Sequence, residues 1–410
     1  MSGGSGALKK PILGLTMAAS LMLAGFLSPS SAAATSAGST TKQTPSASAT
    51  SSKRMTHLHH PVTHKGPTRT AANKRPARRT RTSRAWFGDP AAGDEIAGED
   101  MPTRQAAVNA LGHLNGSVVV LDPNTGRILS IVNQKLALTE AFTPCSTFKP
   151  VVATAALKEG IITPATRLRA EGRFMYYFGT NRITLTQALA ESSNEFFAKL
   201  GEMLGFRRVT EYARAFGLGE RAGLDIPGES PGVFPNAPPV RGGVGLLTSF
   251  GQDIEMTPLQ LAAIAAAIAN GGTLYYLQYP RTPEAIADFE PQVRRQLDVS
   301  SYLASVKQGM AAVVEYGTGK LAFTPDEPIL GKTGTCSENG THLRWFASFS
   351  DNQRLDRVVV VLLRGEGSMF GLHAPEIAGK VYRDLLAAEK TGSEASTIVP
   401  ALLPGPKLSN

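Results

Sequence analysis

The chain has little of the chemistry on which metalloproteins and redox proteins depend. Its 410 residues include two cysteines, two tryptophans and seven histidines, and no cysteine and histidine spacing typical of zinc sites is present. We therefore expect neither a metal nor an organic cofactor. The first 84 residues contain thirteen lysines and arginines and no acidic residue. Subtracting these thirteen charges from the net charge of +9 leaves −4 for the rest of the chain, which argues against a nucleic-acid-binding fold.

Residues 1–34 are typical of an export segment. Lys9 and Lys10 precede an uncharged apolar run over 12–27, which is short for a membrane-spanning helix of about 20 residues. Three alanines at 32–34 offer a small-residue cleavage site, so a cleaved signal peptide and an uncleaved anchor both fit. Either one predicts a membrane-associated or secreted protein whose folded part is extracytoplasmic (periplasmic).

Residues 35–101 are predicted to form a disordered basic linker. A Ser/Thr/Ala-rich stretch is followed over 53–84 by ten lysines and arginines and four histidines. The basic residues would attract anionic lipid or wall polymer, or they would simply keep a spacer solvated. The histidines at 57, 59, 60 and 64 would bind a metal weakly at most, because no rigid framework holds them. The folded domain is expected over 102–392, with a tail over 393–410.

The hydrophobic pattern of the folded part predicts an α/β (α+β) domain with a central antiparallel sheet flanked by helices. Apolar runs at 116–121 and 127–132 read as a hairpin, and three further runs with short connections read as antiparallel strands at 329–336, 343–349 and 357–363. Predicted helices cover 147–157, 184–216 with breaks at Gly201 and Gly205, 258–270 with Thr257 as N-cap, 300–315 and 375–388.

Three short motifs stand in order along the predicted domain: Ser146-Thr-Phe-Lys149, Ser192-Ser-Asn194 and Lys332-Thr-Gly-Thr335. Each is weak alone, because similar strings occur by chance at 39–42, 350–352 and 390–392. Those chance matches fall in the linker, in a turn between two strands and in the tail after the last helix. The ordered motifs fall at a helix start, a helix junction and a strand, which is where an active site is built.

The first two motifs supply the groups that a serine nucleophile needs. Ser146 and Lys149 lie one turn apart on one face of the predicted helix, so Lys149 can act as the base. Its pKa must fall by roughly 3 units for this, and burial together with a second cation, Lys332, would lower it. Ser192 is placed to relay the proton to the leaving group, and Asn194 to hold an amide of the substrate.

The third motif is expected to bind the substrate. Lys332, Thr333 and Thr335 supply a cation and two hydroxyls for a carboxylate. Gly334 would let the substrate backbone approach the strand. The backbone N–H groups of Ser146 and Thr335 would form an oxyanion hole, each worth about 3 kcal/mol in the barrier.

These residues resemble the penicillin-binding protein transpeptidase family (serine D,D-peptidases and β-lactamases), with a catalytic domain like that of class B members. The resemblance covers about 116–388. It rests on the three motifs in their flanking sequences and on segments between them, at 225–229, 249–252, 257–261 and 269–272. It implies D,D-transpeptidation of peptidoglycan stem peptides through an acyl-enzyme at Ser146, with β-lactams as covalent inhibitors.

The chain departs from the family pattern at two positions, where cysteines stand in place of small residues. Cys145 precedes the nucleophile and Cys336 follows the third motif. If Ser146 and Thr335 converge on one carbonyl oxygen, these cysteines are neighbours. Certain class A carbapenem-hydrolysing β-lactamases are similar, with a disulfide joining these places, so the resemblance implies a Cys145–Cys336 disulfide.

Two other functions stay open beside transpeptidation or carboxypeptidation. A serine β-lactamase would need a base for deacylation, and Glu229 is the nearest candidate, but it lies in a Pro-Gly-Glu segment that transpeptidases share. A covalent β-lactam sensor would need a cytoplasmic output domain, for which about eleven residues before the apolar run leave no room. The sequence also has no glycosyltransferase region, so we expect a separate glycan polymerase as partner.

Overall fold

The described part of the chain combines a five-stranded sheet with helices on both of its faces. The structure is a computed structural model that describes residues 88–325, 327–352, 355–366 and 373–397, with the backbone alone for 366 and 391–397. The strands are β1 (Gly116–Leu121), β2 (Ile128–Val132), β3 (Leu168–Arg169), β4 (Arg182–Ile183), β5 (Thr273–Tyr275), β6 (Val293–Gln296), β7 (Ile329–Glu338), β8 (Thr341–Ser350) and β9 (Val358–Glu366).

The helices include all those predicted from the sequence and several short ones that were not. They are α1 (Met101–Leu111), α2 (Gln134–Thr139), α3 (Lys149–Lys158), α4 (Arg173–Phe178), α5 (Leu185–Ala190), α6 (Asn194–Ala215), α7 (Gly243–Phe250), α8 (Pro258–Ala269), α9 (Pro283–Ala287), α10 (Ser300–Glu315) and α11 (Ala374–Thr397). Two 3-10 helices cover Cys145–Phe148 and Lys320–Ala322.

The strands of the central sheet run antiparallel in the order β2-β1-β9-β8-β7. The predicted hairpin of β1 and β2 and the predicted set of three later strands therefore meet in one sheet, joined where β1 pairs with β9. The predicted fold class is confirmed. This order leaves β7, which carries the Lys332-Thr-Gly-Thr335 motif, at the edge of the sheet.

The register of the last hairpin follows from its turn. Asn339 and Gly340 stand between β7 and β8 with φ of 48° and 80°, the left-handed conformation that a two-residue hairpin turn requires. Counting outward from this turn pairs Glu338 with Thr341 and Thr335 with Arg344. Cross-strand partners share a face of the sheet, so Thr335 and Arg344 point to the same side.

Alternation along the strands builds a core on each face of the sheet. In β9, Val358 and Val360 pack into the larger core, which also contains α3 and α8, while Val359 and Val361 pack into the core covered by α1 and α11. The near-continuous apolar sequence of β9 reflects burial on both faces. By the same alternation Lys332 and Gly334 face the α3 side, and Thr333 and Thr335 face the α11 side.

The packed part of the chain includes residues 88–100, which were predicted to belong to the linker. The Asp94 carboxylate accepts from the backbone N–H groups of Asn133 and Gln134 at 2.9 and 2.8 Å. The buried Glu99 carboxylate accepts from the backbone N–H of Ile131 at 3.0 Å. These acidic side chains fix the segment to the end of β2, a long-range contact that local composition does not reveal.

Two further expectations are corrected. Gly201 does not break a helix: it lies within α6, and a Cβ there would meet Thr248 of α7 at 2.1 Å, so the glycine permits close helix packing. The non-helical residue is Gly205, with φ 75°. The last helix continues to Thr397, so residues 390–392 lie in α11 and not in a tail.

The predictions for residues 1–87 concern a part of the chain outside the described residues. They comprise the export segment, most of the basic linker, its histidine cluster and the chance match at 39–42. Among the helices that the structure describes, none combines the length and the apolar character needed to cross a membrane.

Candidate active site

The nucleophile motif lies at a junction between two kinds of helix. Ser146 stands in the 3-10 helix Cys145–Phe148, which passes directly into α3 at Lys149. The helix is apolar on nearly every side, and Lys149 is fully buried while Ser146 keeps 9% of its surface exposed. This places a solvent-reachable hydroxyl one turn before a buried amine.

The buried amine of Lys149 contacts the second motif. Its Nζ donates to the carbonyl oxygen of Ser192 at 2.9 Å and to Oδ1 of Asn194 at 2.7 Å. The hydroxyl oxygen of Ser192 lies 3.2 Å from the same nitrogen. Ser192 adopts a left-handed backbone with φ 55°, at the break between α5 and α6 that directs both its carbonyl and its side chain toward Lys149.

The pKa of Lys149 is lowered well below its ordinary value. Burial is the largest cause, and the positive charge of Lys332 is the second. The Arg173 guanidinium lowers this pKa further, while the Glu171 carboxylate opposes the shift. The two causes invoked from the sequence therefore both act on this lysine, and they favour the neutral amine that a base requires.

Glu171 is a part of the site that the motifs did not reveal. Its carboxylate accepts from the Ser193 hydroxyl and from the backbone N–H groups of Asn194 and Glu195, the latter two at 2.6 and 3.2 Å. It thereby caps the N-terminus of α6, where a negative charge is favourable. Burial alone would raise the pKa of Glu171, but these hydrogen bonds outweigh burial and hold the pKa below its ordinary value.

Lys332 lies behind the edge strand and not in the open cleft. Its side chain is fully buried, and its Nζ donates to the carbonyl oxygen of Thr333 at 3.0 Å. Burial lowers the pKa of Lys332 to about 7. The Thr333 hydroxyl lies on the other face of the strand, 2.6 Å from the Thr318 hydroxyl.

Gly334 serves a close contact within the chain itself. A Cβ at this position would meet the carbonyl oxygen of Pro144 at 2.8 Å and the Thr147 side chain at 3.0 Å. The glycine therefore lets β7 pack against the 3-10 helix that carries Ser146. The expectation that Gly334 also lets a substrate backbone approach the edge of β7 stays a prediction.

The Cys145–Cys336 disulfide that the resemblance implied is present in the structure. It joins the 3-10 helix to β7 with 5.7 Å between the Cα atoms, across a sequence separation of 191 residues. Cys145 has φ 53°, in the left-handed region that favours glycine. The disulfide thus fixes the contact between β7 and the 3-10 helix, which is the same contact that Gly334 allows to form. It does so with local backbone strain at Cys145.

The three motifs line one open cavity of about 290 Å³. Ser146, Ser192 and Asn194 form one side of the lining, and Thr333 and Thr335 of the edge strand form the other. The cavity extends past β7 toward the start of α11. Further lining residues, which no motif indicated, are Arg173, Glu191, Phe250, Thr318, Leu321, Arg344, Trp345, His373, Ala374 and Pro375.

Glu229, the candidate deacylation base, does not line this cavity. It is 3% exposed, and its carboxylate accepts from the backbone N–H groups of Ala222 and Gly223, at 2.5 Å and 2.9 Å. Burial raises the pKa of Glu229, against the effect of these hydrogen bonds. These contacts give Glu229 a structural role, in which its carboxylate holds together the two ends of the loop over 222–229.

Comparison with known proteins gives one family assignment. The family model described as the penicillin binding protein transpeptidase domain matches residues 116–387. That range contains the three motifs, both cysteines and the whole central sheet.

Two curated relatives illustrate the similarity and its limits. Stage V sporulation protein D of Bacillus subtilis is 28% identical over 67% of this chain and 49% of its own length. Penicillin-binding protein PbpB of Mycobacterium tuberculosis is 30% identical over 57% of this chain and 40% of its own length. The alignments with these relatives thus span half of their length or less.

A solved structure shows the same fold. The PBP2 of Pseudomonas aeruginosa, crystallised in complex with WCK 5153, superposes with a TM-score of 0.60 at 23% identity. The match covers 72% of this chain and 78% of that one. At this identity the likeness concerns the fold alone.

Proposed function

Because this chain belongs to the penicillin-binding protein transpeptidase family, we propose that it is a serine D,D-transpeptidase acting on peptidoglycan stem peptides. The observation that carries the proposal is the buried Lys149 amine, held between Ser192 and Asn194 one turn after Ser146. Burial and the charge of Lys332 lower the pKa of this lysine and so favour the neutral amine that a base requires, whereas neither cause acts on a lysine exposed on a helix surface.

In the first step, the stem peptide acylates the enzyme. The neutral Lys149 amine takes the proton of the Ser146 hydroxyl, and Oγ forms a bond to the carbonyl carbon of the penultimate D-alanine. The bond from that carbon to the nitrogen of the terminal D-alanine then breaks. The departing nitrogen receives the proton from Lys149 through the Ser192 hydroxyl, which lies 3.2 Å from the amine. Free D-alanine leaves, and Lys149 is neutral again.

In the second step, an amine of another stem peptide attacks the ester carbon. Lys149 takes a proton from that amine, the ester bond to Ser146 Oγ breaks, and the proton returns to the serine oxygen. The product is the cross-linking amide. If water attacks in place of the amine, the same cycle is a carboxypeptidase reaction that trims the terminal D-alanine.

β-Lactams would enter the same first step and stall at the ester. Rapid hydrolysis of that ester would require a further base, besides Lys149, that activates a water beside the acyl group. Glu229, the candidate for this role, is buried in its own loop and holds the backbone N–H groups of Ala222 and Gly223. This supports a long-lived adduct and a transpeptidase, and it counts against a β-lactamase.

We place the catalytic domain outside the cytoplasmic membrane in this proposal. The Cys145–Cys336 disulfide supports this, because such bonds persist in oxidising compartments. A separate glycan polymerase would then supply the strands whose peptides are joined.

The proposal is tested by labelling the full chain with a fluorescent penicillin and following the label over time. We expect one adduct at Ser146 that persists for many minutes, and no adduct with Ser146→Ala. Loss of label within seconds would point to a β-lactamase. Covalent capture by the Ser146→Ala protein would refute the assignment of the nucleophile. Incubation with a D-Ala-D-Ala peptide and an acceptor amine, analysed by mass spectrometry, separates cross-linking from trimming.

A further inference from the structure

The proposed reaction passes two nitrogen atoms through one position of the cavity. The terminal D-alanine nitrogen leaves the carbonyl carbon in the first step, and the acceptor nitrogen bonds to that same carbon in the second. The leaving nitrogen is protonated through the Ser192 hydroxyl, which lies 3.2 Å from the Lys149 amine. The second step follows the same path in reverse, so the acceptor nitrogen is also expected beside Ser192. Residues that flank Ser192 in the cavity are therefore placed to meet the attacking amine.

Glu191 directly precedes Ser192, and both line the cavity that contains Ser146. Glu191 is the C-cap of α5, where its backbone N–H donates to the carbonyl oxygen of Gln187 at 3.1 Å. Its own carbonyl oxygen accepts from the Arg173 guanidinium at 3.2 Å. The backbone of Glu191 is thus held in the lining by two hydrogen bonds, neither of which uses the side chain.

Glu191 is half-buried, and its carboxylate is free for a ligand. Within the part of the chain that the structure describes, this carboxylate forms no hydrogen bond and no ion pair. The Arg173 guanidinium of the same lining donates to the backbone of Glu191 and makes no ion pair with its carboxylate. A carboxylate taken partly out of water without a partner gains from a donor, above all from a positively charged one.

The position of this charge gives the fold no advantage. Glu191 stands at the C-terminal end of α5, where the partial negative charge of the helix favours cations and disfavours a carboxylate. Glu171, the other carboxylate beside the second motif, is placed in the opposite way, because it caps the N-terminus of α6 with three hydrogen bonds. Local departures from such rules are expected at functional sites. Glu191 is therefore better explained by what enters the cavity than by the stability of the fold.

An amine and water differ in the charge that they develop as they attack. An amine nitrogen attacks with its lone pair while it keeps its protons, so it becomes positively charged until one proton leaves. Water is a weaker nucleophile, and its proton passes to the base during the attack, so its oxygen gains less positive charge. A carboxylate beside the attacking atom therefore stabilises the transition state for the amine more than the transition state for water.

We propose that the Glu191 carboxylate accepts a hydrogen bond from the acceptor amine and stabilises the positive charge that develops on its nitrogen. This inference rests on the proposed function and assigns the residue that favours cross-linking over hydrolysis. A protonated amine first loses one proton to solvent. Its nitrogen then bonds to the ester carbon, the bond from that carbon to Ser146 Oγ breaks, and Lys149 passes the second proton to Oγ. Glu191 carries no proton in this cycle.

The test measures how one acyl-enzyme divides between two nucleophiles. The donor diacetyl-L-lysyl-D-alanyl-D-alanine is incubated with D-methionine as the acceptor amine, and mass spectrometry gives the initial ratio of amide product to hydrolysed product. This ratio is set after acylation, so a change in the acylation rate does not alter it. We expect Glu191→Gln to lower the ratio by about tenfold, the size expected for the loss of one charge-assisted hydrogen bond.

Two further variants separate charge from general damage. Glu191→Asp keeps the charge with a shorter reach and should retain an intermediate ratio. Glu202→Gln is the matched control, because Glu202 is an exposed glutamate of α6 that pairs with Lys199 outside the cavity. Its ratio should equal that of the full chain.

Three outcomes overturn the inference. The first is an unchanged ratio in Glu191→Gln, and the second is an equal ratio in Glu191→Gln and Glu191→Asp, which would show that the charge is not responsible. The third is a full chain that yields hydrolysed product and no amide, which would leave a carboxypeptidase. In each of them the acyl-enzyme at Ser146 still forms. If the full chain forms no adduct with benzylpenicillin and consumes no donor peptide, the proposed function fails instead.

Discussion

The amine nitrogen of Lys149 lies 2.7 Å from Oδ1 of Asn194, which is the first residue of α6. The backbone N–H of the same asparagine donates to the Glu171 carboxylate at 2.6 Å. The candidate base is therefore tied through one residue to a half-buried negative charge that no motif indicates. Glu171 both positions the start of α6 and acts electrostatically on Lys149.

Removing the charge of Glu171 should shift the pH dependence of acylation. Acylation needs neutral Lys149, so its rate rises as the pH rises through the pKa of this amine. The Glu171 carboxylate raises that pKa, and Glu171→Gln should therefore move the acid limb to lower pH. The amide oxygen can still accept from the backbone of Asn194, so the rate at high pH should change little. Rates of penicillin acylation between pH 5 and pH 10 provide the measurement.

Glu171→Ala is the comparison that separates charge from position. It removes the acceptor as well as the charge, so we expect a lower rate at every pH. An acid limb of Glu171→Gln that stays in place, or moves to higher pH, would contradict the electrostatic role.

The disulfide should contribute to both stability and reactivity. A link across 191 residues is worth up to about 5 kcal/mol in the chain-entropy model. We expect the double substitution Cys145→Ser, Cys336→Ser to lower the free energy of unfolding by several kcal/mol and to slow acylation, because Ser146 loses its tie to β7. Urea denaturation and acylation rates check this prediction.

Glycine at position 145 offers a matched comparison for the backbone strain. Cys145 has φ 53°, which costs an L-residue about 1 kcal/mol and a glycine nothing. The pair Cys145→Gly, Cys336→Ser should therefore be about 1 kcal/mol more stable than the pair Cys145→Ser, Cys336→Ser. Two results would argue against this account. One is equal stability of the two variants, and the other is an unchanged free energy of unfolding when the Cys145–Cys336 disulfide is reduced.

Gly334→Ala should disrupt the site while leaving the sheet intact. The added methyl would lie 2.8 Å from the Pro144 carbonyl oxygen and push β7 away from the 3-10 helix that carries Ser146. We expect the acylation rate to fall by at least tenfold, with a loss of stability of about 1 to 3 kcal/mol. Gly172→Ala is the control, since nothing lies within 4 Å of its added Cβ and its φ is −57°. Equal acylation rates for the two variants would contradict the packing role.

Local patterns predicted the elements whose signals are local. The helix Ser300–Glu315 has the predicted bounds, and the helix after Thr257 begins with a full capping box between Thr257 and Gln260. The register of the β7–β8 hairpin could also be predicted from the sequence, because counting outward from the Asn339-Gly340 turn pairs Thr335 with Arg344. That count would have indicated Arg344 as a cleft residue before any coordinates were known.

What the sequence did not reveal depends on contacts between distant segments. Glu171 lies in a loop without a motif, 22 residues before the Ser193 hydroxyl that it binds. The burial of Lys332 follows from packing between the sheet and the α3 side, which residue type alone does not predict, since lysines are seldom fully buried. These are the two places where the roles inferred from the motifs needed revision or addition.

The buried Lys332 should make the stability of the protein increase with pH above neutrality. Its pKa is lowered to about 7 in the folded state, from an ordinary value of 10.5 in the unfolded chain. Between these values the unfolded chain binds the additional proton, so the free energy of unfolding rises with pH, by up to about 1.4 kcal/mol per unit for this group. Below about pH 7 both states are protonated, and the contribution no longer changes.

Lys332→Met removes this dependence without leaving a cavity, because methionine fills a similar apolar volume. Urea denaturation at pH 7, 8 and 9 should show a steeper rise in unfolding free energy for the native chain than for the variant. Lys149 titrates in both proteins, and the charge of Lys332 lowers its pKa, so the difference between the two slopes reports Lys332 together with its effect on Lys149. Parallel slopes would mean that the Lys332 ammonium stays protonated in the folded protein. A permanently charged Lys332 would still lower the pKa of Lys149, but it would not lose its proton near neutral pH as its burial predicts.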